Sequence, residues 1–295
     1  MVEGSGTEPE SGSRGPRSSY ADSLVLEPTV VTDAGDPRVA DFRALDDARY
    51  RRRVEAPTSF SPGQFVIEGW LALERALETR QDLRGVLVLD ARLERLRDLL
   101  GDREAPVFVA DAATLEAIVG FDLHRGVVAV ATRRPGVDPS SVIGRAQRML
   151  IVEGVNDGEN LGALFRNAAA LGAEGVLLDP TSCDPLTRRT VRVSLGHVMA
   201  VPYATRALSD GIDAVRAAGH RVVALSPRGD ADLRALEPSG HDAVLVGAEG
   251  SGLGDASLDA ADVVARIPMA GDVDSLNVAT AAAIAMWHLF SAAER

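Results

Sequence analysis

The chain contains no lysine; all 31 of its Lys and Arg cations are arginine. That absence excludes Schiff-base chemistry and a Walker-type phosphate loop, both of which need a lysine amine. Cysteine occurs once, at Cys183, so no internal disulfide can form. Nothing groups that thiol with histidines, and a cytoplasmic protein without a metal site is the expectation. Aromatic residues make up only 4%, which argues against extended stacking on single-stranded nucleic acid. Long apolar runs are missing too. The longest, Val278 to Ala293, is broken by Thr280, His288 and Ser291 and reads as a buried helix, not a membrane span. The N-terminus lacks the basic-then-apolar pattern of a secretory signal. Positive charge is in deficit, with a net charge of −12. Because phosphate neutralisation supplies much of nucleic-acid affinity, any such site here must be a local basic patch.

What is present is enough for two modest domains: 295 residues, 46% of them apolar. Residues 1–28 are rich in Gly, Ser, Pro and Glu and read as a disordered tail. Arg38, Arg43, Arg49, Arg51, Arg52 and Arg53 then form the most basic stretch of the chain, either a solvated helix face or a phosphate contact. From Phe65 strand and helix patterns alternate, with β-like runs at Phe65–Ile67, Gly85–Leu89, Val107–Ala110 and Gly126–Ala131. This predicts a small α/β domain over 29–132. Pro135, Gly136 and Pro139 suggest a linker over 133–147. A second series follows from 148 to 295. Its strands are expected at Met149–Glu153, Gly175–Leu178, Val201–Ala204, Arg221–Leu225, Ala243–Val246 and Val263–Ile267, with a long helix closing the chain from about Leu276. Strands joined by crossover helices imply a mostly parallel sheet with ligands at the C-terminal strand ends.

Three segments in this half can carry chemistry. In Glu153-Gly-Val-Asn-Asp-Gly-Glu-Asn160-Leu-Gly162-Ala-Leu-Phe-Arg166-Asn167 a strand runs into a polar loop and a helix, which Asn160 is suited to cap. Gly162 would let another backbone approach. Arg166 stands among Leu164, Phe165 and Ala168, where a guanidinium is costly unless paired. The second segment, Gly247-Ala-Glu249-Gly250-Ser-Gly252-Leu253-Gly254, ends a strand in a glycine-rich loop that fits neither a dinucleotide fingerprint nor a phosphate loop. It offers main-chain groups and one carboxylate, Glu249. In the third, Ile267-Pro268-Met269 is followed by Ser275-Leu276-Asn277, with Ser275 placed to cap the last helix.

Taken in order, these segments resemble the SpoU/TrmH family of RNA ribose 2'-O-methyltransferases, within the SPOUT superfamily. The matching residues are Asn160, Gly162 and Arg166; Gly247, Glu249, Gly252 and Leu253; and Ile267–Met269 with Ser275–Val278. Ser194-Leu-Gly196 adds a weaker match, and Glu68-Gly69 and His124-Arg125-Gly126 resemble parts of the family's substrate-binding domain. The resemblance implies an α/β fold with a C-terminal trefoil-knot domain and a smaller N-terminal RNA-binding domain. It further implies S-adenosylmethionine as cofactor, a structured RNA (rRNA or tRNA) as substrate, and a homodimer whose active sites draw on both subunits. Carried over residue by residue, Gly247, Ile267, Leu276, Leu225, Gly252, Leu253 and Met269 would hold the cofactor. Arg166, Asn160, Asn277, Ser275 and Glu249 would serve the acceptor.

Overall fold

A computed structural model of the chain describes residues 1, 27–43, 45, 63–271 and 273–290. Most of the expected tail, and the arginines at 49 and 51–53, lie outside the described residues.

The N-terminal unit is a five-stranded sheet in the order β1-β4-β3-β5-β2, formed by β1 (Thr29–Val30), β2 (Gln64–Glu68), β3 (Leu83–Leu89), β4 (Val107–Ala110) and β5 (Val127–Thr132). Strand β5 runs antiparallel between β2 and β3, whereas β3, β4 and β1 are parallel. Helices α1 (Trp70–Glu78), α2 (Leu93–Leu100) and α3 (Ala112–Val119) connect them. Helix α1 buries Trp70, Ala72, Leu73, Ala76 and Leu77, a spacing that sets one apolar stripe against the core.

The C-terminal unit is a seven-stranded, wholly parallel sheet in the order β10-β12-β9-β11-β6-β7-β8. Its strands are β6 (Met149–Glu153), β7 (Gly175–Leu178), β8 (Tyr203–Thr205), β9 (Arg221–Leu225), β10 (Ala231–Asp232), β11 (Asp242–Gly247) and β12 (Val263–Arg266). The central strands are apolar on both faces, as a sheet covered by helices on both sides requires; Met149, Leu150, Ile151 and Val152 are all fully buried. Strand β8 starts after Pro202 rather than at Val201, because proline has no N–H to give the ladder.

The segment read as a linker is built into this unit. Pro139–Ile143 forms α4, with Asp138 accepting from the Ser140 N–H and Pro139 in the first turn. Val142 and Ile143 join the core beneath β6 and β7. The remaining helices are α5 (Gly158–Ala170), α6 (Arg188–Val193), α7 (Leu208–Ala217), α8 (Asp255–Ala260) and α9 (Val278–Phe290), with a 3-10 turn at His197–Met199.

The two units are packed together. One apolar cluster runs from Ile67 and Leu73 to Val191 and Val198. At its edge Arg188 Nε donates to Glu68 Oε2 at 2.7 Å, and the same guanidinium lies 3.6 Å from the Phe121 ring centroid. Arg133 binds Asp184 through two nitrogens. Both partners of the Glu68–Arg188 pair are largely buried, so losing either one would strand a charge.

Candidate active site

Three C-terminal strand ends meet where the chain reverses its order across the sheet. Leu225 ends β9 opposite Ala265 of β12, and Gly247 ends β11 opposite Glu153 of β6. Crevices at such switch points are where α/β sheets place ligands. A cavity of about 690 Å³ opens here, lined by Leu225–Arg228, Val246–Leu253, Ile267, Met269 and Ser275–Val278. All seven residues expected to hold the cofactor line it: Leu225, Gly247, Gly252, Leu253, Ile267, Met269 and Leu276. So do Glu249, Ser275 and Asn277.

One wall is main chain. After β11 the loop folds back so that Gly252 N–H donates to Ala248 C=O at 3.0 Å and the two residues form an isolated bridge. A Cβ on Gly247 would collide with the Gly252 carbonyl and sit 2.5 Å from the Leu253 nitrogen. The opposite wall is apolar. Leu276 is 37% exposed there and presents apolar surface to the cavity.

Asn277 stands on the cavity wall at the start of α9. Its Oδ1 accepts from the Ala279 and Thr280 N–H groups at 3.0 and 3.2 Å, so Asn277, and not the expected Ser275, caps α9. Those two donors fix which end of the amide is oxygen. The nitrogen therefore points the other way, donating to Asn160 Oδ1 at 2.7 Å and Glu249 Oε1 at 2.6 Å. All four hydrogen-bonding positions of this side chain are used.

Asn160 likewise does not cap its helix. Asp157 does, accepting from the Glu159 and Asn160 N–H groups. This leaves the Asn160 side chain free for Asn277. Asn160 lines a second cavity of about 730 Å³ that shares the wall Ala248, Glu249 and Ser251–Leu253 with the first. Glu153, Asp157 and Asp179 also border it, as does Arg228 the first cavity, and none of these four was singled out from sequence. For Glu153 a signal existed in its place at the end of a central strand. Burial would raise the Asp179 carboxyl, but donors from Ser182, Thr181 and Gly154 outweigh it and hold its pKa below the ordinary value.

Arg166 lies apart. It lines neither cavity and is exposed on α5, with no hydrogen bond or ion pair to any described residue. The apolar setting read from its neighbours belongs to the other face of the helix, where Leu161, Leu164, Phe165 and Ala168 are buried. Gly162 does let a backbone close: a Cβ there would be 2.9 Å from the Thr190 carbonyl oxygen.

The model of the SpoU rRNA Methylase family matches residues 147–287, which contain both cavities. An uncharacterised tRNA/rRNA methyltransferase of Mycobacterium tuberculosis is 42% identical over 87% of this chain and 90% of its own length. The chain belongs to the SpoU rRNA methylase family. It is an S-adenosylmethionine-dependent RNA methyltransferase. The crystal structure of an AdoMet-bound rRNA methyltransferase from Sinorhizobium meliloti superposes with a TM-score of 0.76 at 28% identity, over 90% of this chain and 99% of that one. A 23S rRNA guanosine 2'-O-methyltransferase of Bacillus subtilis is 26% identical over 88% of this chain and 98% of its length.

The first cavity suits the cofactor of this family on its own chemistry. Its volume lies in the range of roughly 300–1,000 Å³ usual for small-molecule sites. Leu225, Ile267 and Leu276 offer apolar surface for an adenine, and the Ala248–Leu253 loop offers main-chain donors and acceptors to its polar edge. No group of residues able to hold a metal occurs among the described residues. None of the described helices is long and apolar enough to cross a membrane.

Proposed function

We propose that this methyltransferase modifies the ribose 2'-hydroxyl of a structured RNA, ribosomal or transfer, with the acceptor entering the second cavity. The observation that carries this reading is the Asn160–Asn277–Glu249 chain, which stands on the partition between the two cavities. When bound, S-adenosylmethionine supplies a methyl group activated by its sulfonium, so no metal or covalent intermediate is needed. The residues of this chain have to position a very weak acid and manage its proton. The Glu249 carboxylate, held by Asn277 Nδ2, is placed to take the hydroxyl proton or to orient the hydroxyl. Asn160 and Asn277 fix that carboxylate, with Ser275 beside them on the cavity wall. The main chain at Gly247 and Gly252, with Leu225, Leu253, Ile267, Met269 and Leu276, would hold the cofactor.

Arg166 would hold the adjacent phosphate and stabilise the developing alkoxide; a guanidinium stays protonated and is a poor base. Since it lies outside its own cofactor cavity, we assign it to the site of a second copy. A further observation supports a homodimer: α9 exposes Ile284 and Trp287, the latter at 67%. The resemblance further implies that the loops after β11 and β12 thread as a trefoil knot.

The test is incubation with labelled cofactor and total cellular RNA, followed by mapping of 2'-O-methylation through resistance to alkaline cleavage. Label at a ribose is expected. Label on a base, or none with cofactor still bound, would refute the reading. Arg166→Lys should lose on the order of 10²-fold in kcat, the scale of one transition-state donor. Wild-type turnover in that variant would remove the special role of the guanidinium.

A further inference from the structure

An RNA that reaches the cofactor cavity has to approach a chain whose net charge is −12. The basic stretch that sequence favoured for this contact is already engaged where it can be seen. Arg38 forms a bidentate pair with Asp36, and Arg43 donates to the carbonyls of Ala34 and Asp36. A different set of cations gathers at the seam between the two units. The 3-10 turn that begins at His197 packs against both α1 and α5. A Cβ on Gly196 would be 2.9 Å from the Arg75 Cβ and 3.0 Å from the Ala72 Cα, so α1 lies directly on the turn. Arg166 of α5 is exposed and close enough to act on His197 electrostatically.

We propose that Arg75, His197 and Arg166 form one phosphate-binding track, on which the RNA backbone crosses from the N-terminal unit to the catalytic unit. This rests on the reading that the protein methylates RNA, and it identifies the surface that delivers it.

Several features of the seam agree with a polyanion as the missing partner. Arg75 Nε is buried with no hydrogen-bond partner, and among the described residues its one ion pair is with half-exposed Glu78. A surface pair of that kind is weak and readily exchanged for a better anion. Arg166 has no counter-charge among the described residues. Arg192, one residue before the end of α6, is 3.6 Å from one oxygen of the Glu68 carboxylate, whose other oxygen pairs with Arg188, so it too is incompletely neutralised. His197 is half-buried, and burial, followed by Arg75 and then Arg166, pushes its pKa below the ordinary value, with Glu78 opposing. It is thus neutral at neutral pH when the track is empty. A phosphate on the track raises its proton affinity, so binding takes up a proton. Affinity then rises as pH falls through the His197 pKa of the RNA-bound form.

The test is fluorescence anisotropy of a labelled RNA hairpin with the full-length protein across a salt series, with cofactor affinity measured separately as a check on folding. Arg75→Gln keeps the aliphatic stem on Gly196 and removes the charge. It should weaken RNA binding about 3- to 10-fold and flatten the log–log salt slope by about one. Arg75→Lys should keep the slope. His197→Gln should abolish the strengthening of binding seen in the wild type between pH 8 and pH 6. Unchanged affinity and slope in Arg75→Gln, with cofactor binding intact, would overturn the track. A wild type with no such pH response would also overturn it. Anisotropy requires no turnover. Failure to methylate any ribose would therefore defeat the functional reading while leaving the track testable, and ribose methylation with an unaltered salt slope would defeat the track alone.

Discussion

Asn277 shows how much can rest on one amide. It starts α9, holds Asn160 from α5 and holds Glu249 from the loop after β11, using every donor and acceptor it has. Aspartate is nearly isosteric and would still cap the helix, with a more favourable charge for a helix N-terminus. It would also turn an oxygen toward Glu249 Oε1 and Asn160 Oδ1, where donors are needed. Asn277→Asp should therefore leave thermal stability within a few degrees of wild type, since about 1 kcal/mol gained at the cap offsets a loss of similar size. Methyl transfer should fall by 10²-fold or more as Glu249 loses its orientation. Single-turnover kinetics beside a thermal melt separates the two effects. A variant with normal turnover would show that the amide is a cap and no more.

At the scale of elements, glycine decides two close approaches. Gly247 lets the loop after β11 return onto its own strand end, and an alanine there would have to displace the Gly252 carbonyl. Gly247→Ala should weaken S-adenosylmethionine at least tenfold by calorimetry, with a stability cost of about 1–3 kcal/mol from overpacking. Gly162 does the same between α5 and α6, which holds the N-terminal unit through Arg188. Which elements were legible follows from their length and pattern. The buried strands β6, β7, β9 and β11 stand out as apolar runs bounded by polar turns. The two-residue strands β1 and β10 are too short for any period, and α4 is a single turn that begins with proline. The caps of α5 and α9 were misassigned for a different reason. Asp157 and Asn160 are both capping residues three positions apart, as Ser275 and Asn277 are two apart, and only the backbone path chooses between them.

For the molecule as a whole, the residues that line the first cavity could be read from ordered motifs because all its walls come from the second unit. The position of Arg166 could not. Helical periodicity says which face a residue takes, not what lies beyond that face. Its separation from the cavity gives the assembly a direct test. Arg166→Ala and Asn277→Ala would each be inactive alone. If the arginine serves a partner, mixed dimers hold one site with both residues intact, and an equimolar mixture after subunit exchange should regain about a quarter of wild-type activity, as two-fold symmetry dictates. No recovery in verified heterodimers would place Arg166 in its own subunit's site. The seam between the units belongs to the same scale. Glu68–Arg188 and Arg133–Asp184 hold the N-terminal unit in register, so that Arg75 and Arg166 both stay within reach of His197.

The main-chain wall from Ala248 to Leu253 has a bearing on how such a protein can change over time. A surface made of peptide groups presents nearly the same donors and acceptors whatever side chains the loop carries, so point substitutions at Ala248 or Ser251 alter it little, whereas Gly250, at φ +86°, has to stay glycine to keep the path. The neighbouring cavity on the far side of that loop is walled largely by side chains such as Glu153 and Asp179, so its chemistry changes with each residue exchanged. On the proposed assignment, the fold sets the methyl donor against a wall that side-chain changes barely touch and the acceptor against one that they reshape.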